Sequence, residues 1–386
     1  MVERNADIVI FGAGIAGLWT FNRLKSLGYD VLLLESQKIG GGQSIASQGI
    51  IHSGLKYAFA GKINKLAQSI SAMPDMWRDA IRGQGPVDLS SVRVNISSQY
   101  LLIPHGFMGG LVKLVTKQAL GSNVHEVKPE HWPEPIKQSG FKGSVIYMDE
   151  PVLDVASAVH SLAAPYQDCI RLIDTPDQPL EFLARHNITA KKIIFTGAAS
   201  NQAIAADLGE DDGLRTQARP LKMGMMRPAP FEIYAHLVGT SDKPVATITT
   251  HKAKDGTLVW YIGGQVAERG KEVPDQEVIN AAKSALQRYL PQVDTKAVQW
   301  ATLPIDRIEG ASDTEGWMPD TPSVHHKGAH LYCWPTKLTF APLLSDKIMQ
   351  TLQQDNIEPS KTAVDWAFLP PAPFADGPWD CADWTK

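Results

Sequence analysis

The chain is predicted to belong to the α/β class: a doubly wound domain with an inserted antiparallel β-rich domain. Three observations predict this. The chain opens with the β-branched run ADIVIF, a GAGIAG turn, an apolar stretch at helical spacing and a second run, VLLLE. Two further strand, turn and helix signatures stand far along the chain, at KKIIFTGAASNQAIAADLG and HLYCWPTKLTFAPLLSDKIMQTL. Between them lie runs such as VATITTHKAKDGTLVWYIGG, two β-rich arms joined by the turn Asp255-Gly256.

In the first unit, Ile15, Leu18, Trp19, Phe21, Leu24 and Leu27 recur at largely helical spacing before Gly28, and the strand that follows ends on Glu35. In the second unit the strand covers 191–195, the turn 196–199 and the helix 201–208, stopped by Gly209. In the third, Phe340, Leu343, Leu344, Ile348 and Leu352 share a helix side. Three pieces far apart in sequence are thus expected to line one sheet. The expected division is 1–80, 149–216 and 304–358 for the discontinuous nucleotide-binding domain, and 81–148 with 217–303 for the inserted substrate domain. The proline-rich segment 359–386 is expected as an irregular tail whose tryptophans pack on the body or stay mobile.

Composition excludes several classes. A chain of 386 residues, 44% hydrophobic and 20% charged, has material for more than one core. No run approaches the roughly 18 apolar residues that span a bilayer, and MVERNADIVIF lacks the features of a secretion signal, so a cytoplasmic start is expected. The tryptophans of the tail leave a peripheral membrane contact as a further expectation. Net charge is −4 and no basic cluster interleaves with aromatics, which argues against nucleic acid. Cys169, Cys333 and Cys381 are too far apart for a CxxC metal site and odd in number, which fits reduced thiols; no metal ligand set such as HExxH stands out.

The residues with the clearest chemistry are Gly12, Gly14 and Gly17, which match GxGxxG. Gly12 permits the tight turn, Gly14 lets the backbone approach a pyrophosphate, and Gly17 lets helix and strand pack closely. The N–H groups around Ile15 and Ala16, at the helix start, are oriented to receive phosphate oxygens. Such a turn alone is weak evidence for a ligand. Here it follows a strand, opens a helix and precedes Glu35 by 18 residues, a spacing that places a carboxylate on ribose hydroxyls. Glu35 disfavours a 2′-phosphate, so the Rossmann-like unit predicts FAD or NAD.

The stretch SQKIGGGQSIASQGIIHSGLKY that follows Glu35 resembles the D-amino-acid oxidase superfamily of flavoproteins. Within it, IIHSGLKY is most similar to flavin-dependent glycerol-3-phosphate dehydrogenases and L-2-hydroxyglutarate oxidases, which carry an I-H-x-G-L/V-x-Y pattern. KKIIFTGAAS resembles the superfamily's second flavin segment and PTKLTFAPL the G-G-K-x-T-T segment of the glycerol-3-phosphate enzymes, although Pro335, Thr336 and Phe340 depart from that pattern. The resemblance implies FAD, bound noncovalently because Cys333 is poorly placed for a tether. It implies that Ser36, Gly42, Gln43, Ser44, Ser47, Gln48, Gly49, Thr196, Gly197, Ala198, Lys337, Leu338 and Thr339 join the glycines and Glu35 around the cofactor.

Three residues are expected at the substrate. His52 would take a proton while hydride passes to flavin N5, the competing reading being a histidine that only hydrogen-bonds its surroundings. Arg307, 30 residues before Lys337, would clamp a carboxylate or phosphate, against a surface partner for Asp306 or Glu309. Lys337 would stabilise the negative charge of a reduced ring. Lys56, Tyr57 and Tyr261 are weaker candidates. The expected reaction is oxidation of a CH–OH carbon in a small anionic molecule, a 2-hydroxy acid or polyol phosphate, with O₂ or a quinone-linked acceptor reoxidising the flavin. The alternatives are an amine, D-amino-acid or glycine-type oxidase and, in another class, a non-catalytic FAD-binding protein.

Overall fold

The computed structural model describes residues 3–53, 70–106, 124–176, 178–241, 243–311, 319, 321–335, 337–361 and 363–385. In chain order the strands are β1 (Arg4–Phe11), β2 (Val31–Glu35), β3 (Val94–Ile96), β4 (Gln99–Pro104), β5 (His125–Val127), β6 (Gly143–Met148), β7 (Val152–Leu153), β8 (Ile170–Leu172), β9 (Ile188–Phe195), β10 (Thr216–Arg227), β11 (Ala235–Leu237), β12 (Ala246–Lys252), β13 (Leu258–Gly263), β14 (Gln299–Gly310), β15 (Ser323–Lys327) and β16 (His330–Trp334). The α-helices are α1 (Ile15–Ser26), α2 (Met73–Ile81), α3 (Glu134–Gln138), α4 (Val155–Ala163), α5 (Pro179–Arg185), α6 (Ser200–Asp207), α7 (Asp275–Tyr289) and α8 (Ala341–Gln354).

The three recurring units do meet. β1, β9 and β16 are neighbours in a six-stranded sheet of order β15-β16-β9-β1-β2-β8, parallel except for the β15 edge. Its strands read as continuous apolar runs because both faces are covered. Ile8, Ile10, Leu33, Ile194 and Leu331 pack with α1 and α8 on one side, while Val9, Phe11, Leu34, Phe195 and Tyr332 pack on the other. Phe11, Phe195 and Tyr332 lie in register on adjacent strands with ring centroids 5.3 and 4.9 Å apart. Helix α1 is buried nearly all round, wedged against α8 and α4. Leu27, expected on its apolar side, is instead exposed just past its end.

The second sheet has eight strands in the order β14-β10-β13-β12-β11-β4-β6-β5, antiparallel except at β11 and β4. The β12–β13 hairpin turns at Asp255-Gly256 as expected, with Gly256 at φ +87°. The sheet's two faces differ. Trp260, Ile262, Ile248 and Trp300 pack under α7. The opposite face presents Met225, Tyr261 and Thr249 in one transverse row, and Thr247, His236 and Leu101 in the next.

The paired ends of β10 and β14 form a ribbon that reaches the first sheet, where a side chain on Gly310 would meet the Ser323 hydroxyl. Residues 304–310, grouped by sequence with the nucleotide-binding part, therefore extend β14 of the second sheet. Their ladder with β10 is continuous, and no turn interrupts it at 304.

The tail is irregular but packed. Phe374 bridges Ile39, Pro371 bridges Arg171 on β8, and Thr385 bridges Trp300 on β14. Trp366 and Trp379 are buried. The tail thus runs from one sheet to the other, and Asp376 carries ion pairs to Lys38 on the first side and Lys254 on the second. No helix among the described residues is long and apolar enough to cross a membrane.

Candidate active site

The glycine turn sits at the C-terminal ends of β1, β2 and β9, where ligands bind open α/β sheets. Gly12 has φ +100°, and a Cβ on it would lie 3.0 Å from the Thr196–Gly197 backbone. A Cβ on Gly17 would lie 2.0 Å from the Gly12 carbonyl oxygen, so only glycine lets α1 start this close to β1. The Thr196 hydroxyl reaches the Phe11 and Gly12 carbonyls at 2.9 and 2.8 Å, pinning the second flavin-type segment to the first. Gly197 and Ala198 complete that turn: the Asn201 side chain accepts the Gly197 N–H, and Trp334 donates its indole N–H to the Ala198 carbonyl.

This cradle fits an adenine dinucleotide. No acidic residue stands in the first turn of α1, so its N-terminal dipole is open to an anion, and the Ser44 hydroxyl accepts the Ile15 N–H at 2.8 Å beside it. Glu35 accepts N–H groups from Ala13 (2.7 Å) and Gln37 (2.8 Å), one on each oxygen. A carboxylate has about four lone-pair positions, so two remain for ribose hydroxyls. Ser36 is exposed beside it, and Gly42 lies in the next turn.

The segment after Gly42 does something composition did not foretell: its amides cross to the second sheet. The Gln43 carbonyl oxygen accepts the Ile308 N–H on β14, and the Gln48 amide donates to the Thr247 and Tyr261 carbonyls and to the Thr249 hydroxyl. Their side chains thus join the two sheets. The Ser47 hydroxyl accepts the Gly49 N–H, and the Gly49 carbonyl accepts the Leu153 N–H. The turn bearing Lys337, Leu338 and Thr339 leads into α8 as expected. It is tied down by Trp77 N–H to the Thr339 carbonyl and by the Thr339 hydroxyl to the Ile50 carbonyl.

Two residues beyond Ile50, His52 meets a partner that the sequence did not suggest. Its Nδ1 lies 3.3 Å from Oε2 of Glu150, a fully buried carboxylate between β6 and β7. Ser53 donates both its N–H (2.7 Å) and its hydroxyl (2.6 Å) to Oε1, and Gln99 donates its amide (2.6 Å) to Oε2. Burial alone would push Glu150 up. The His52 hydrogen bond and charge, the Ser53 hydroxyl and the charge of His236 outweigh it and hold the carboxyl well below the usual range.

His236, on β11, completes the cluster, its ring centroid 6.0 Å from that of His52 and its Nδ1 2.8 Å from the Thr247 hydroxyl. Ligand atoms of His52, Glu150 and His236 all lie within 4.8 Å of one another. Both Glu150 oxygens already accept from Ser53 or Gln99, so the cluster reads as a hydrogen-bonded proton network. The signal for Glu150 was faint: one acid before Pro151 in a run of buried residues.

Arg307 stands opposite Arg219 in the ribbon, and the buried Glu309 takes Arg219. Of the two partners for Arg307 expected from sequence, Glu309 thus pairs with Arg219, and Asp306 pairs with Lys271. Arg307 lies near the buried Tyr261 phenol, which donates to the Ala46 carbonyl at 2.8 Å. Burial raises that phenol and the Arg307 charge offsets part of the rise. Cys333 is buried in the core of the first sheet and its thiol is raised by burial, which removes it from covalent chemistry. Lys56 and Tyr57 lie outside the described residues.

A family model described as FAD dependent oxidoreductase, DAO, matches residues 7–317. The chain belongs to this family. FAD is its cofactor, and it is an oxidoreductase. A probable FAD-dependent oxidoreductase of Pseudomonas aeruginosa is 37% identical over 388 residues, covering 98% of both chains. The crystal structure of the FAD-dependent oxidoreductase from that organism superposes with a TM-score of 0.82, at 32% identity over 99% of each chain. More distant folds include L-proline dehydrogenase of P. horikoshii (TM-score 0.65, 12% identity, 92% and 95% covered). L-α-glycerophosphate oxidase of Mycoplasma pneumoniae also matches (0.63, 15% identity, 94% and 100% covered). These two share the fold while their names specify an amine and an alcohol substrate.

Proposed function

We propose that this oxidoreductase removes hydride from the CH–OH carbon of a small anionic substrate, a 2-hydroxy acid or polyol phosphate. The observation that carries the reading is the His52 Nδ1 contact with Glu150, 3.3 Å, because the carboxylate is buried and held charged. A hydroxyl keeps its proton at neutral pH, so a base must take it as hydride leaves. A neutral amine expels hydride with its lone pair and needs no such base. The imidazole and carboxylate pair therefore favours the alcohol.

Bound FAD supplies the two-electron acceptor at N5. With His52 Nδ1 directed at Glu150, Nε2 accepts the hydroxyl proton and the carboxylate stabilises the imidazolium. Arg307 binds the substrate's carboxylate or phosphate with its planar fork, and Lys337 adds positive charge by the turn that opens α8. Gly12, Gly14, Ile15, Ala16, Gly17 and Ser44 hold the pyrophosphate, Glu35 a ribose, and Thr196, Gly197, Ala198, Leu338 and Thr339 the ring end. FAD is held noncovalently. The acceptor is O₂ or a quinone-linked carrier, and the free thiols of Cys169, Cys333 and Cys381 suit a cytoplasmic enzyme.

The test is anaerobic mixing of the yellow holoprotein with 2-hydroxy acids, polyol phosphates and amino acids while the flavin absorbance is followed. Bleaching by a hydroxy acid or polyol phosphate, slowed at least 100-fold by His52→Asn, is expected. Bleaching by amino acids alone would move the enzyme to the amine branch.

A further inference from the structure

The buried carboxylate at the site faces two imidazoles, not one. Glu150 is withdrawn from water and carries one negative charge, which a low-dielectric site tolerates only beside one positive charge. One proton on either His52 or His236 supplies it. Two imidazolium rings 6.0 Å apart in the same buried space would repel, so the second proton is disfavoured. His236 is placed to share the proton: its ring is buried on β11, one of its ring nitrogens lies within 4.8 Å of a Glu150 oxygen, and its Nδ1 lies 2.8 Å from the Thr247 hydroxyl, an oxygen that can accept an N–H.

We propose that His236 is a positioning residue for the reaction, sharing with His52 the one proton that neutralises Glu150, so that His52 stays able to accept the substrate proton at neutral pH. A lone histidine beside the same carboxylate would be protonated in a larger fraction of molecules at neutral pH, and so would be available as a base in a smaller one. The proposal rests on the reading of His52 as the base.

Other charges are accounted for among the described residues. The same sheet face carries His251 on β12, Tyr261 on β13 and Arg307 on β14, with Arg219 and Glu309 ion-paired beside Arg307 in the ribbon. It also carries Glu126 on β5, which accepts from Ser144. Beyond the end of β6, Asp149 is paired with Arg78. The charges of His52 and His236 are among the effects that hold Glu150 down.

The experiment is a pH titration of the holoenzyme labelled with ¹³Cε1-histidine, the His52 and His236 resonances being assigned with His52→Asn and His236→Asn. In the wild type the two are expected to titrate together in two macroscopic steps. In His236→Asn the His52 midpoint is expected to rise by about one unit, the effect of one nearby charge. Should His236→Asn not fold, Thr247→Val removes the hydroxyl at Nδ1, keeps both rings and is expected to move His52 the same way by less. A His52 midpoint unmoved in every folded variant overturns the proposal. The base reading fails separately, if His52→Asn leaves the rate of flavin bleaching by the substrate unchanged.

Discussion

The end of the six-stranded sheet and the open face of the eight-stranded sheet meet around the same site but are built by different rules. At the first, the ligand is to be held by backbone: Gly12, Gly17 and the start of α1 lie within six residues, and Glu35 closes the set from the next strand. At the second, the polar groups arrive one per element. His236 comes from β11, Thr247 from β12, Tyr261 from β13, Arg307 from β14 and Glu150 from the loop after β6. In the proposed reading the cofactor is met by a local pattern and the substrate by a non-local one. Changes at the first region should abolish cofactor binding outright, and changes at the second should alter chemistry or stability while the protein stays yellow.

The largest effect is expected from Gly17→Val. Its Cβ would lie 2.0 Å from the Gly12 carbonyl oxygen, and relieving that clash must move α1 away from the pyrophosphate site. We expect a colourless protein that FAD does not reconstitute, destabilised by ~3 kcal/mol or more; retention of flavin absorbance would show that the turn is not the cradle. On the other side, Trp379→Ala removes a buried ring stacked 4.1 Å from His251, and should cost ~3–5 kcal/mol in denaturant unfolding while FAD stays bound. Loss of flavin in that variant would mean that the tail holds both regions together as one unit.

A smaller effect should appear with pH. Burial pushes His251 down from its ordinary 6.5 to about 4, with the charge of Asp154 opposing. The unfolded chain therefore takes up this proton first as pH falls. The contribution is complete above about pH 6.5 and is lost toward pH 4, ~3 kcal/mol in all. His251→Phe keeps the ring against Trp379 and should flatten this part of the stability curve; an unchanged slope would refute the assignment. The least effect is expected from Asp154→Ala, where the side chain caps α4 through the Ser157 N–H at 2.7 Å. Thermal unfolding should show a loss of ~1 kcal/mol, and flavin absorbance none.

What the amino-acid sequence made legible follows the same division. GAGIAG, Glu35 and the three strand and helix units could be read because their chemistry depends on neighbours within a few residues, and the sheet order brings β1, β9 and β16 side by side. His52 and Arg307 stood out through resemblance, but their partners did not. Glu150 is 98 residues from His52 along the chain, and nothing in MDEPVLD distinguishes it from the neighbouring Asp149 and Asp154 until the fold buries it fully. Gln43 and Gln48 looked like cofactor ligands by position, yet their amides are used between the sheets, a choice set by the arrival of β12, β13 and β14. The tail was legible as irregular, whereas its route across both sheets depends on contacts with Ile39, Arg171 and Trp300 that no local pattern encodes.

The claim on which the functional account turns is that the charge of Glu150 makes His52 a base. Glu150→Gln keeps the side-chain shape and removes that charge. The rate constant for anaerobic flavin reduction by the identified substrate, measured in wild type and Glu150→Gln at equal FAD content, tests it directly. The account predicts a fall of about 10²- to 10⁴-fold with substrate binding nearly unchanged. Equal rates in the two proteins would contradict it.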